Sequence, residues 1–242
     1  MTTGKGNAVA FITGGSRGIG YAIARHVAPQ CSRLLIASKT KANAISAVKR
    51  LSEELGCEAH PIWGDLAKGR SFATAAKRLV GKTAKQLDLL VLNAGYYVEG
   101  SLAKISDADF ERNMLVNCQS AHYLVSALLP FLAKSNRGRI VIIGSTAAYE
   151  PYPLVPTYGI AKWGLRGYAI NLRKELMRKK IGVSFISPGA TLTDMWAGVD
   201  LPKNRLLEAD DIGKLVAATM TLSPQAVVEE LIVRSMLGDI HE

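Results

Sequence analysis

Tyr158 and Lys162 stand four residues apart in TYGIAKWG, a spacing that puts both side chains on one face of a helix. An ammonium beside a phenol favours the phenolate, so the expectation is a tyrosine whose pKa falls from about 10 toward working pH. Such a phenol can give and take a proton at an alcohol or carbonyl oxygen. The pair alone is a weak motif, because both residue types are common enough to meet at this spacing by chance. Its meaning depends on what else the chain carries.

Upstream, the apolar run AVAFIT leads into Thr13-Gly14-Gly15-Ser16-Arg17-Gly18-Ile19-Gly20 and then into YAIARHVA. A strand, a glycine turn and a helix N-terminus make a phosphate site, since free backbone N–H groups and the positive dipole end face the anion. The glycine spacing is G-x-x-x-G-x-G, not the G-x-G-x-x-G of the general dinucleotide motif. A plain turn between strand and helix is the bland alternative.

Taken with four further motifs, this pattern closely resembles the short-chain dehydrogenase/reductase family over nearly the whole length. The glycine turn matches the family's T-G-x-x-x-G-I-G, with Gly14, Ser16, Arg17, Gly18, Ile19 and Gly20 as cofactor contacts. Asp65 and Leu66 in WGDLAK match the acidic position near the adenine. Asn93-Ala94-Gly95 matches the N-A-G that steadies the central strand beside the cofactor. Asn117, Ser145, Tyr158 and Lys162 match the catalytic tetrad. Pro188, Gly189, Thr191 and Thr193, in SPGATLTDM, match the segment flanking the nicotinamide. The resemblance implies a single-domain Rossmann-type α/β fold, a doubly wound parallel sheet of about seven strands. It also implies that Lys162 binds the nicotinamide ribose and that Asn117 holds a water linking Lys162 to solvent.

Two departures stand out. Leu92 occupies the place of a second asparagine before N-A-G, which predicts a local change of packing and no loss of a catalytic group. The second departure concerns the cofactor. NAD-preferring relatives carry an acid after the second strand for the ribose diol, whereas here LLIASKT offers Ser38 and Lys39. With Arg17 in the glycine turn, a cation pair for a 2′-phosphate replaces the carboxylate, and the expected cofactor is NADP(H).

Charge agrees with that choice. Residues 1–90 hold 14 Lys and Arg against 5 Asp and Glu, and residues 91–242 hold 16 against 15, so nearly all of the net +10 sits in the cofactor half. A polyanionic dinucleotide would be steered by such a field. The lysines are scattered at helix-surface spacing without an aromatic platform, so nucleic acid is not expected as a partner. Cys31, Cys57 and Cys118 have no metal or C-x-x-C spacing and read as reduced thiols, and the four histidines are dispersed, so no metal site is expected. The N-terminal residues lack the apolar core of a signal peptide. The apolar stretch 124–133 is too short to span a bilayer and contains Pro130. A cytoplasmic protein without a membrane partner is the expectation.

The elements that must position these groups alternate. Strands are expected at 8–13, 33–38, 58–63, 87–92, 139–144, 182–187 and 230–235. Helices are expected at 20–28, 42–55, 70–83, 107–134, 157–180 and 209–222. Strands joined by helical crossovers predict a parallel sheet covered on both faces. The glycine turn, Asn93, Ser145 and Ser187-Pro188-Gly189 each follow a predicted strand, which gathers them at the C-terminal edge of the sheet, where such folds bind ligands.

The implied reaction interconverts a carbonyl and a secondary alcohol, with Tyr158 as proton donor and Ser145 bonding the same oxygen. The substrate is expected to be a small-molecule carbonyl or alcohol of medium size. Tyr149, Tyr152, Leu154, Val155, Tyr96 and Tyr97 are candidates for the pocket wall, and residues 192–205 for a lid with Met195 and Trp196 facing inward. Two other readings stay open. One is a 3-oxoacyl-carrier-protein reductase docking its acidic carrier on the basic clusters 134–139 and 173–180. The other is a dinucleotide-binding sensor without turnover, against which the intact tetrad argues. By resemblance, the long helices from Asp107 and Thr157 would pair subunits into a homodimer or homotetramer.

Overall fold

The first strand, β1 (Ala8–Thr13), is apolar on both faces, as a strand covered twice must be. Its alternate residues divide between two cores. Val9 and Phe11 enter one cluster and Ala10 and Ile12 the other, so the period-2 alternation of the strand feeds both faces of the sheet. In this computed structural model, which describes residues 6–194 and 205–238, β1 lies third in a seven-stranded sheet, beside the central strand.

The other strands are β2 (Cys31–Ser38), β3 (Glu58–Trp63), β4 (Leu89–Leu92), β5 (Arg139–Ile143), β6 (Gly182–Pro188) and β7 (Glu230–Val233). Their order is β3-β2-β1-β4-β5-β6-β7 and every pairing is parallel. The strand order reverses between β1 and β4. That switch point opens a crevice beyond the C-terminal strand ends.

Helices α1 (Gly18–Val27), α2 (Lys41–Leu55) and α7 (Ala209–Thr221) cover one face. On the other lie α3 (Arg70–Thr83), α5 (Ser120–Leu132) and α6 (Pro156–Leu176). α4 (Asp107–Met114) opens with Ser106 as its cap and two acids in its first turn. It runs into α5 through one π-turn, Leu115–Gln119.

All seven expected strands form, with small shifts at their ends. β4 begins at Leu89, and just before it the Asp88 side chain accepts hydrogen bonds from Val9 N, Gln86 and Ser135. The expected helix at 70–83 forms over that span. The run Asp107–Leu132 is long and apolar enough to cross a membrane by length and composition, more than the stretch 124–133 implied. Its Leu124, Val125, Leu128 and Leu132 are nonetheless buried in the sheet-facing core. Of the expected lid at 192–205, residues 195–204, Met195 and Trp196 included, lie outside the described residues.

Candidate active site

The glycine turn is built by close approach. A Cβ on Gly20 would stand 2.2 Å from the carbonyl oxygen of Gly14, and both Gly14 and Gly18 have positive φ. α1 then starts with no side chain among the described residues capping its first N–H groups. An uncapped helix N-terminus behind a turn that admits only glycine is a cradle suited to a phosphate. Ile19 packs against the core beneath, and Ser16 hydrogen-bonds Ser38 across the ends of β1 and β2 at 2.9 Å.

Thr13 joins this turn to β4. Its hydroxyl accepts from Asn93 N at 2.9 Å and Ala94 N at 3.1 Å and donates to Val91 O. The Asn93 amide donates back to Thr13 O and Gly14 O. Leu92, in the place of the family's second asparagine, is buried in the core, so the departure is one of packing.

Asn117 sits inside the π-turn, a local widening often found at functional sites. Its side chain clamps the backbone of Tyr96. It accepts from Tyr96 N at 3.0 Å and donates to Tyr96 O at 2.5 Å, with a further bond to Asn113. Gly95 packs closely beside it, since a Cβ there would be 3.1 Å from Asn117 Oδ1.

Asp65 caps a short turn containing Leu66 and forms an ion pair with Arg112 at 2.8 Å. Burial works to raise its pKa, but the Arg112 hydrogen bond and the Ala67 N–H outweigh it. Together with the charges of Arg112 and Lys39 they hold the carboxyl below its ordinary value. Arg112 also lies over the Tyr96 ring, whose hydroxyl donates to Asp109. Neither Arg112 nor this link between the adenine-side acid and Asn117 was legible in the sequence, because it joins β3, β4 and α4.

Ser145 follows β5 with extended backbone and caps a short turn. Tyr158 occupies the first turn of α6, entered through Pro156, and Lys162 the next. The Lys162 side chain is buried, its Nζ donating to Ile143 O at 2.9 Å and lying 5.4 Å from the centre of the Tyr158 ring. Here the expected lowering of the phenol is overturned. Burial pushes Tyr158 up to about 12, against the hydrogen-bonding pull of Ser145 and with a smaller push from Tyr152. Burial also brings Lys162 down to about 8. The reason is positional: the ammonium is drawn to a carbonyl and faces the ring, so desolvation governs both groups.

Beyond β6, Gly189 N donates to Val233 O at 2.7 Å, and Thr191, whose hydroxyl bonds Gly189 O, forms a bridge with Leu207. The segment after Pro188 turns back over the glycine turn. A Cβ on Gly18 would come within 3.1 Å of Thr193 Cγ2.

A cavity of about 240 Å³ opens beside the turn, lined by Ser16, Arg17, Asn43, Ser46, Arg50 and Asp194. Its cations among the described residues are Arg17 and Arg50. Lys39 is not part of the lining and lends its charge to Asp65 instead. Arg50 escaped the sequence reading, although Asn43, Ser46 and Arg50 fall at helical spacing on one face of α2.

Of the expected pocket wall, Tyr149 points elsewhere, its hydroxyl on Glu230 and its ring under Arg166. Leu154 is 64% exposed. Tyr152 does turn toward the site, its hydroxyl 2.6 Å from that of Thr146.

A family model described as short chain dehydrogenase matches residues 8–204. The 3-oxoacyl-[acyl-carrier-protein] reductase of Haemophilus influenzae is 31% identical over 227 residues, covering 86% of this chain and 88% of its own. The sepiapterin reductase of Chlorobaculum tepidum is 27% identical over 241 residues, covering 97% and 98%. A metagenomic short-chain oxidoreductase solved in complex with NADP superposes with a TM-score of 0.83 at 28% identity, covering 96% of this chain and 98% of its own. With its seven-stranded parallel sheet, this chain is an oxidoreductase that belongs to the short-chain dehydrogenase family.

Proposed function

We propose that the protein is an NADP(H)-dependent oxidoreductase that interconverts a small-molecule carbonyl and a secondary alcohol. The observation that carries this reading is the convergence of Ser145, just after β5, with Tyr158 and Lys162 in the first two turns of α6, where Lys162 is tied to the end of β5 through Ile143 O. The glycine cradle and uncapped α1 would take the pyrophosphate, Asp65 and Leu66 the adenine side, and Asn93, Gly95, Pro188, Gly189, Thr191 and Thr193 the nicotinamide half. Arg17 and the polar cavity beside it favour a 2′-phosphate, and solved relatives carry NADP. NADPH supplies a hydride when bound.

Tyr158 gives its proton to the oxygen on which negative charge develops, and Ser145 hydrogen-bonds that atom. Lys162, positive at neutral pH, offsets the charge left on the phenolate and contacts the nicotinamide ribose. Asn117 orders the route by which that proton is replaced.

The carrier-protein reading has a relative in its favour, but the basic clusters do not support it. Arg139 is buried with its guanidinium on Ser223 O, and Arg173 is paired with Glu229. Both clusters precede β5 and β6, at the sheet edge opposite the site.

Titration with NADPH and NADH by nicotinamide fluorescence, followed by a carbonyl screen, tests the reading. Tyr158→Phe is expected to reduce turnover about 10²–10⁴-fold while leaving NADPH affinity within about twofold. Retained turnover in that variant would overturn the mechanism, and equal affinity for the two cofactors would overturn the cofactor assignment.

A further inference from the structure

The cavity beside the glycine turn holds one feature that a phosphate site does not need. Among the described residues, its lining contains two guanidiniums, Arg17 and Arg50, three neutral polar side chains, and a single carboxylate, Asp194. Asp194 forms an ion pair with Arg17 at 3.1 Å, and both side chains are largely exposed. Arg50 is fixed differently. Its Nη2 donates to Ser16 O at 3.1 Å, and the guanidinium carbon lies over the Tyr21 ring, 4.2 Å from its centre. Tyr21 is in turn directed by its hydroxyl toward Glu54. With one of its five N–H donors on Ser16 O, the guanidinium can still donate to an anion. The N-terminus of the 15-residue α2, capped by Thr40, brings Asn43 and Ser46 to the same wall.

We propose that Asp194 is a built-in competitor for the 2′-phosphate, and that Arg50 is the second cation deciding cofactor choice. This inference rests on the NADP(H) reading given above. Without cofactor, the Asp194 carboxylate satisfies Arg17 much as a phosphate oxygen would. A bound 2′-phosphate, carrying up to two negative charges, cannot share so small a space with that carboxylate without repulsion. It therefore takes Arg17 over, and Asp194 leaves. Arg50 has no such rival among the described residues of the cavity and stays poised. NADPH preference is thereby set by two arginines and weakened by one acid. Because Asp194 directly follows Thr193, which packs on Gly18, the exchange takes place at the start of the segment that closes over the glycine turn.

Calorimetric titration with 2′,5′-ADP and with 5′-ADP, which lacks the 2′-phosphate, separates these roles without any turnover. The wild type is expected to favour 2′,5′-ADP. Asp194→Asn should tighten 2′,5′-ADP about threefold to tenfold, and Arg50→Ala should weaken it about tenfold or more. Both variants should bind 5′-ADP within about twofold of wild type, which also shows that the turn is folded. Unchanged or weaker 2′,5′-ADP binding by Asp194→Asn would overturn the competition. Equal losses for both probes in Arg50→Ala would make Arg50 a structural residue and overturn its role. A wild type that does not distinguish the probes removes the NADP(H) reading itself, and this inference with it.

Discussion

Lys162 Nζ donates a hydrogen bond to the carbonyl oxygen of Ile143 at 2.9 Å. Ile143 ends β5 two residues before Ser145, so this bond ties the helix that carries Tyr158 and Lys162 to the strand that delivers Ser145. The same bond explains why Lys162 can be buried at all. A desolvated ammonium needs an acceptor, and the strand end supplies one.

That burial has a consequence for stability that depends on pH. The folded-state pKa of Lys162 is near 8, against an ordinary 10.5. Between those values the unfolded chain carries a proton that the folded chain lacks, so this site's contribution to stability rises with pH. Tyr158 acts in the opposite sense, but only above its ordinary value of 10. From pH 8 to pH 10 the wild type is therefore expected to gain up to about 2–3 kcal/mol relative to Lys162→Met. Urea denaturation of both proteins at the two pH values checks this, and parallel behaviour would contradict it.

Asn117 has a structural duty separate from catalysis. Its amide satisfies both backbone groups of Tyr96 and is itself buried. Asn117→Ala is expected to destabilise the protein by about 1–3 kcal/mol, the cost of leaving such groups unpaired. An unchanged urea midpoint would mean that water replaces the amide without penalty.

Glycines in two places should respond oppositely to alanine. Gly20→Ala drives a methyl into Gly14 O and Asn93 Nδ2, both part of the cradle. It should cost about 1–3 kcal/mol of stability and abolish nucleotide binding. Gly81, within α3, would place its methyl 3.6 Å from Phe131, an ordinary contact. Gly81→Ala should stabilise by about 0.5–1 kcal/mol. Thermal melts with nucleotide titration separate the two, and a destabilised Gly81→Ala would refute the contrast.

The outer face of α6 presents Ile160, Trp163 and Ile170, which are 40%, 50% and 45% exposed. They recur at helical spacing, and an apolar stripe of this kind marks an association surface. The proposed homodimer or homotetramer would bury it. Sedimentation should find the wild type oligomeric and Trp163→Glu shifted toward monomer. A wild-type monomer would sink the assembly.

Much of this was legible in the chain itself. The strand and helix order follows from apolar runs and helical periodicity, and the glycine turn declares itself because only glycine tolerates Gly14's conformation and Gly20's close contacts. The tetrad residues were nameable because their types and order resemble a family. What the linear chain could not carry was environment. Sequence spacing suggested that Lys162 would lower the pKa of Tyr158, yet folding buries both and turns the ammonium to Ile143 O, so desolvation prevails. Arg50, Arg112 and Asp194 read as ordinary surface charges until the fold sets them against Ser16, Asp65 and Arg17. Tyr149, a plausible pocket wall in sequence, is turned to Glu230 on β7, 81 residues away. Periodicity is local and survives in one dimension. Burial, charge partners and side-chain direction are set by contacts between distant segments, and only the tertiary structure decides them.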